Sequence, residues 1–277
     1  PNSPEINPTS LFSPDIKLEN GNLVQCTSCH DPHWTQYSKF LLRSLENGEL
    51  CVTCHDTRYW DTMPSIHKTS TAVWNGSGQN PWYEDMGASG YSDDTPAMQA
   101  CMSCHRSHGG ASGKSNLRGT NPSTQAVDDE EWTCLNCHNG NVAAKDINTL
   151  FSYSSRHDVK GTYGSHVPWR EVLPEPVRET STNLNTNRHA ECSDCHNSHG
   201  TKTGNHTIGG SNGNIIAPNI LGSWGAMPTA WPAPGSPVDA YMPVFFISTI
   251  PGDNNLEAYL CIKCHSYYAY GLTPPNV

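Results

Sequence analysis

The stretch Gln25-Cys26-Thr27-Ser28-Cys29-His30-Asp31-Pro32-His33, answered by Leu50-Cys51-Val52-Thr53-Cys54-His55, decides how the rest of the chain is read. All twelve cysteines repeat its central pattern, Cys-x-x-Cys-His. The copies are Cys26/Cys29/His30, Cys51/Cys54/His55, Cys101/Cys104/His105, Cys134/Cys137/His138, Cys192/Cys195/His196 and Cys261/Cys264/His265, numbered motifs 1 to 6 below. Two thiols one helical turn apart can add across the two vinyl groups of a porphyrin edge. The histidine that follows is then placed to bind iron from one face. Three Cys₄ zinc sites or six disulfides would also use twelve cysteines, but neither requires His after every second Cys. With 14 histidines in 277 residues, six such placements by chance have a probability on the order of one in ten million or less. The pattern therefore predicts six covalent haem c groups, with the six motif histidines as proximal iron ligands.

Eight histidines remain: His33, His67, His108, His157, His166, His189, His199 and His206. Six of them would complete bis-histidine ligation at every iron. Three repeat a spacing, because His33, His108 and His199 each follow a motif histidine by three residues. On a helical turn residues three apart share a side, so each should serve a neighbouring iron and not its own. The next haem in sequence is the expected recipient, which groups the haems as 1 with 2, 3 with 4 and 5 with 6. His67, His157 and His189 are the expected remaining distal ligands, in preference to His166 and His206. The six methionines stand in no repeated relation to the motifs and read as packing residues.

The pairs expose a threefold repeat whose internal spacing grows from 25 (Cys26 to Cys51) through 33 (Cys101 to Cys134) to 69 residues (Cys192 to Cys261). A loop insertion between Asn205 and Tyr259 accounts for the last value. Only 35% of residues are apolar, and 23 Gly with 21 Pro interrupt regular structure throughout. The expected fold is accordingly mostly coil and turns with short helices, little sheet and a haem stack as core. Helices are expected at the attachment sites and over Gln36 to Leu45, where Leu41, Leu42 and Leu45 have helical spacing. Residues 1–25, with Pro1, Pro4, Pro8 and Pro14, read as an extended arm. Residues 26–277 read as one hexahaem unit of three repeats, about 26–90, 91–185 and 186–277.

A net charge of −10 without a basic run argues against nucleic acid as a partner. The most apolar stretch, Tyr241 to Ile250, is too short to span a bilayer, and Pro1 to Pro4 lack the features of a signal peptide, as expected of a mature exported chain. The acidic run Asp128 to Glu131 reads as a solvated surface. Tyr267, Tyr268 and Tyr270 read as cover for a porphyrin edge. Asn75-Gly-Ser and Asn205-His-Thr match a glycan acceptor pattern only weakly.

The opening Cys-x-x-Cys-His-x-Pro-His, the Leu-Cys-x-x-Cys-His close, Cys134-Leu-Asn-Cys-His-Asn-Gly, Ser-Arg-His157 and Arg-His189-Ala-Glu-Cys192 together resemble the doubled-CxxCH multihaem c-type cytochromes. More narrowly, six haems in such a chain are similar to the extracellular hexahaem cytochromes of metal-reducing bacteria that polymerise into filaments, the cytochrome nanowires. That resemblance implies a continuous chain of bis-His haems, head-to-tail contact with copies of itself, redox partner proteins and extracellular acceptors, and a secreted, extracellular or cell-surface location. In some members a neighbouring subunit donates a histidine to one haem. The expected function is long-range electron transfer without catalysis, since saturated irons leave no site for substrate. The alternatives are a monomeric periplasmic shuttle and a multihaem reductase of nitrite, hydroxylamine or a sulfur oxyanion, which would need an open iron.

Overall fold

Among the described residues regular structure comes in short pieces, most of them at a Cys-x-x-Cys-His motif or around one local apolar cluster. The computed structural model describes residues 16–20, 23–34, 36–55, 65–82, 94–108, 117–118, 129–157, 159, 190–209, 213–233, 236, 240–252 and 254–266. Among these, the helices are α1 (Cys26–Cys29), α2 (Glu49–Val52), α3 (Ile66–Thr69), α4 (Pro96–Gln99), α5 (Asp129–Leu135), α6 (Cys192–Cys195) and α7 (Glu257–Ile262). Most are a single turn, and they alternate with 3₁₀ turns and coil. None is long and apolar enough to cross a membrane.

The two motifs of a pair are approached differently. Motifs 1 and 5 are single turns whose entry is capped by their own third residue: the Gln25 N–H donates to Ser28 Oγ (3.2 Å) and the Glu191 N–H to Asp194 Oδ2 (2.8 Å). Motifs 2, 4 and 6 lie at the ends of α2, α5 and α7, whose first turns carry acidic residues such as Glu49 and Glu257, a favourable placement against the helix dipole.

The helix expected over Gln36 to Leu45 does not form. Lys39 and Phe40 both adopt φ 58°, in the left-handed region. The segment instead folds back on motif 1: Leu42 N–H donates to Cys29 O, Asp31 N–H to Phe40 O, and Leu41 pairs with His30 in an isolated bridge. Buried Leu41 keeps the apolar role that its spacing announced, but the backbone follows the needs of the motif. The part of the N-terminal arm that is described also packs at home. Ile16 is buried, and Lys17 O accepts from Ser28 Oγ at 2.5 Å. Residues 1–15, Asp128, Tyr267, Tyr268 and Tyr270 lie outside the described residues.

The insertion between motifs 5 and 6 is more ordered than a loop. Strand β1 (Trp224–Pro228) pairs antiparallel with β2 (Tyr241–Phe245), Trp224 opposite Phe245 and Pro228 opposite Tyr241. Ile215, Ile216, Leu221, Val244, Phe246 and Tyr259 form a buried apolar cluster beneath them. At Gly225 an added Cβ would lie 2.6 Å from the Tyr259 backbone, so β1 and α7 approach as closely as a bare backbone permits. Asn197 Nδ2 donates to Gly222 O at 3.0 Å, and Ile216 N–H donates to Asn255 O. The cluster thereby joins the exit of motif 5 to the helix that carries motif 6.

Candidate haem centres

Every motif closes the same turn. The N–H of His30, His55, His105, His138, His196 and His265 donates to the carbonyl of the first cysteine of its motif, at 2.8 to 3.0 Å. This five-residue turn sets the two thiols one turn apart and sends the histidine out beyond them. None of the twelve thiols is in a disulfide. Among the described residues no group of three or more His, Cys, Asp or Glu side chains is arranged to hold a bare ion.

Four of the six motif histidines face a second imidazole. His30 faces His108 with ring centres 6.0 Å apart, His138 faces His67 at 6.0 Å, His105 faces His199 at 6.1 Å, and His265 faces His157 at 6.0 Å. The angle between the ring planes runs from 17° to 87° over the same pairs. A distance held constant while the angle varies is not ring stacking, which would fix both. It is the spacing that a metal shared between the two rings would require. Two metal–nitrogen bonds of about 2 Å, with about 1 Å from each nitrogen to its ring centre, require about 6 Å in all. The donor set thus fits haem iron held between two histidines.

The pairing differs from the expected one. His108 faces His30 and not His138, and His199 faces His105 and not His265. The expectation assumed that the segment from the motif histidine to the histidine three places on is a helical turn. In fact α1 and α6 end at the second cysteine, His30 (φ −120°, ψ 139°) and His196 (φ −119°, ψ 141°) are extended, and His105 pairs with Leu117 in an isolated bridge. The downstream histidine is carried away along an extended exit, toward an earlier motif. His67 and His157, expected only as ligands of unspecified haems, face motifs 4 and 6. Among the described residues no imidazole faces His33 or His196. His206 is exposed, while His166 and His189 lie outside the described residues.

Several rings are fixed through Nδ1, which leaves Nε2 as the metal-binding nitrogen. His30 Nδ1 lies 2.8 Å from Lys39 O, and His196 Nδ1 lies 2.9 Å from Asn219 O, each a geometry for N–H donation to a carbonyl. His67 Nδ1 lies 3.2 Å from both Ser198 O and Ser65 Oγ, while Ser65 Oγ accepts from His67 N–H and donates to Ser198 O. Burial lowers the pKa of His67, reinforced by His199 and opposed by the Ser198 carbonyl. Burial, with His67 and His196 nearby, lowers His138 to about 4. Both rings are therefore held neutral, the form that offers a lone pair to a metal. These orienting groups were invisible in the sequence, apart from the helix-capping Ser65 two residues before His67.

The motifs are neighbours in space in the order in which they occur in the chain. Cys54 feels Cys29, joining motifs 1 and 2. The Cys51 and Cys101 thiols lie within hydrogen-bond reach of each other, which pushes Cys51 up and draws Cys101 down. Burial and then Cys104 push Cys137 up to about 12, joining motifs 3 and 4. His138 feels His196, and Cys195 feels Cys261, completing the series. With haem attached these sulfurs are thioethers and do not titrate, so their mutual influence serves only to mark adjacency.

Searches of curated proteins and of solved structures gave no match. The family model described as the doubled CXXCH motif matches residues 20–58, which enclose motifs 1 and 2. The match supports a doubled-CxxCH multihaem c-type cytochrome, with haem c held covalently and electron transfer as its function.

Proposed function

We propose that this chain is an extracellular electron conduit of six bis-histidine c-type haems that polymerises head to tail and delivers electrons to external acceptors. Attached haem c supplies a one-electron iron couple; the chain supplies attachment, axial ligands, order and insulation. Cys26, Cys29, Cys51, Cys54, Cys101, Cys104, Cys134, Cys137, Cys192, Cys195, Cys261 and Cys264 attach the six groups. His30, His55, His105, His138, His196 and His265 are the proximal ligands. His108, His199, His67 and His157 are distal ligands to motifs 1, 3, 4 and 6, and His189 is assigned to motif 2. With imidazoles on both sides of each iron no substrate reaches the metal, and outer-sphere transfer between adjacent groups is what remains. The haem stack then serves as the core that 35% apolar residues cannot build by themselves.

The observation that carries the assembly is the offset in the ring pairs. His108 in the second repeat faces motif 1 in the first, and His199 in the third repeat faces motif 3 in the second. The same rule sends His33 to the fifth motif of a preceding unit and leaves His196 to a donor from a following one. A head-to-tail contact between copies satisfies both at once, and an interface of that kind extends without closing. Exposed Trp34 and Phe40 beside His33 would be covered by the same contact.

Purified His33→Ala protein, compared with wild type by electron microscopy and electron paramagnetic resonance, tests the reading. Wild type should form thin filaments with low-spin iron throughout. The variant should keep six haems by mass, lose its filaments and show one high-spin iron per chain. Filaments with fully low-spin iron in the variant would remove His33 from the interface. Wild type that stays monomeric and low-spin at high concentration would favour the periplasmic shuttle. A monomer with persistent high-spin iron that reduces nitrite or hydroxylamine would favour a reductase.

A further inference from the structure

Lys263 stands between the two cysteines of motif 6 and is only 9% exposed. Its ammonium donates to the carbonyl of Asp194, which stands between the two cysteines of motif 5, and lies 4.7 Å from the centre of the Trp224 ring on β1. A buried ammonium normally requires a carboxylate. Here, among the described residues, it meets a carbonyl and an aromatic face, both of which stabilise a cation without neutralising it. Three carboxylates bear on the same region, and the side chain of buried Glu191 accepts the Asp194 N–H. Asp194 Oδ2 is turned to the Glu191 N–H, and Glu257 bears on Cys261 at the start of the motif. A positive charge is thus held, in a site shielded from screening, at the junction of two attachment turns.

We propose that Lys263 is a potential-setting residue, a buried cation that raises the reduction potentials of the haems at motifs 5 and 6. The inference rests on the six-haem reading above. An iron that gains an electron loses one unit of positive charge, so a fixed cation nearby favours the reduced state. Buried in place of water, it acts at an effective dielectric of about 20 and not 80. The consequence is directional. Electrons moving along the chain would settle toward motifs 5 and 6, the end at which, among the described residues, no imidazole faces His196.

The test is a spectroelectrochemical titration of holoprotein from wild type, Lys263→Met, Lys263→Gln and Lys263→Arg, each first shown by mass to carry six haems. A wild-type mass short of six haems would defeat the haem assignment itself, separately from Lys263. In Lys263→Met the reduced-to-oxidised ratio of two haems at a fixed potential should fall about tenfold, or about 59 mV for a one-electron couple. Lys263→Gln, which keeps a donor for the Asp194 carbonyl without the charge, should fall similarly, and Lys263→Arg should stay near wild type. Unchanged titrations in Met and Gln, or an equal fall in Arg, would overturn the proposal. Loss of haem in both neutral variants but not in Arg would also overturn it, since Lys263 would then be a structural strut.

Discussion

Replacement of His108 by Ala separates the observed ligand pattern from the one that sequence spacing suggests. The ring of His108 lies 6.0 Å from that of His30, while His138 has its own partner in His67 at the same distance. His108→Ala should therefore open the iron at motif 1 and leave motif 4 untouched. One iron in six loses its sixth ligand, so about one-sixth of the low-spin signal should become high-spin. The opened iron should bind one carbon monoxide per chain, read as a shifted Soret fraction of the same size. A second substitution locates the site. In a chain lacking haem 1 (Cys26→Ala with Cys29→Ala), His108 has no iron to leave, and His108→Ala should add no carbon monoxide binding beyond that background. If the site instead survived loss of haem 1 and vanished with Cys134→Ala and Cys137→Ala, the extended-exit argument would be wrong and the helical-turn expectation right.

His67→Ala should open the iron at motif 4 by the same spectroscopic measure, again at about one-sixth of the signal. Ser65→Ala removes the cap of α3 and the link to Ser198 O; it should cost about 1 kcal/mol in chemical denaturation and broaden the low-spin signal of one haem. Phe246→Ala, at a fully buried side chain, should cost about 3–5 kcal/mol. Its effect in hydrogen exchange should centre on motifs 5 and 6, with motifs 1 to 4 still protected. Gly222→Ala places a Cβ 2.9 Å from Asn197 Nδ2 at φ 86° and should cost about 1–3 kcal/mol, lowering the melting temperature without changing haem count.

The attachment sites were legible in the sequence because covalent chemistry fixes both residue type and spacing. Cys-x-x-Cys-His must close one turn, and all six copies do so with the same hydrogen bond. The sequence nominated His67, His108, His157 and His199 as distal candidates, and each of these faces a motif histidine in the structure. Their recipients were not. Which iron a histidine reaches depends on the direction in which the chain leaves the motif, and the extended φ and ψ of His30 and His196 are imposed by contacts with distant segments such as Lys39 and Asn219. The same cause defeats the helix over Gln36 to Leu45. Its leucine spacing is helical, but the segment is needed to present Lys39 O and Leu42 N–H to motif 1, and tertiary demand outweighs a weak local preference. The cluster around Phe246 was missed for a related reason, because Gly and Pro between its members hide an apolar pattern that closes only in three dimensions.

The offset between motif and donor has a consequence for electron transfer. His105 and His108 belong to different ring pairs, one facing His199 and the other His30. On the proposed ligation, two metal positions would thereby be tied by three residues of backbone. Even fully extended, three residues span at most about 11 Å, so the separation of the two sites is bounded by the covalent chain and not by packing alone. His196 and His199 apply the same tether between motifs 5 and 3. A fold with few apolar residues has little side-chain packing with which to hold large cofactors at constant distance. Sharing each such histidine pair between two haem sites would supply that constancy through bonds and ligands. It also means that no repeat completes its own sites, since the first and second each lend a histidine to an even motif of the next, and the second and third to an odd motif of the one before. On the proposed ligation the repeats would form together, and a contact that continues the offset beyond one copy would extend the same short tether to the next.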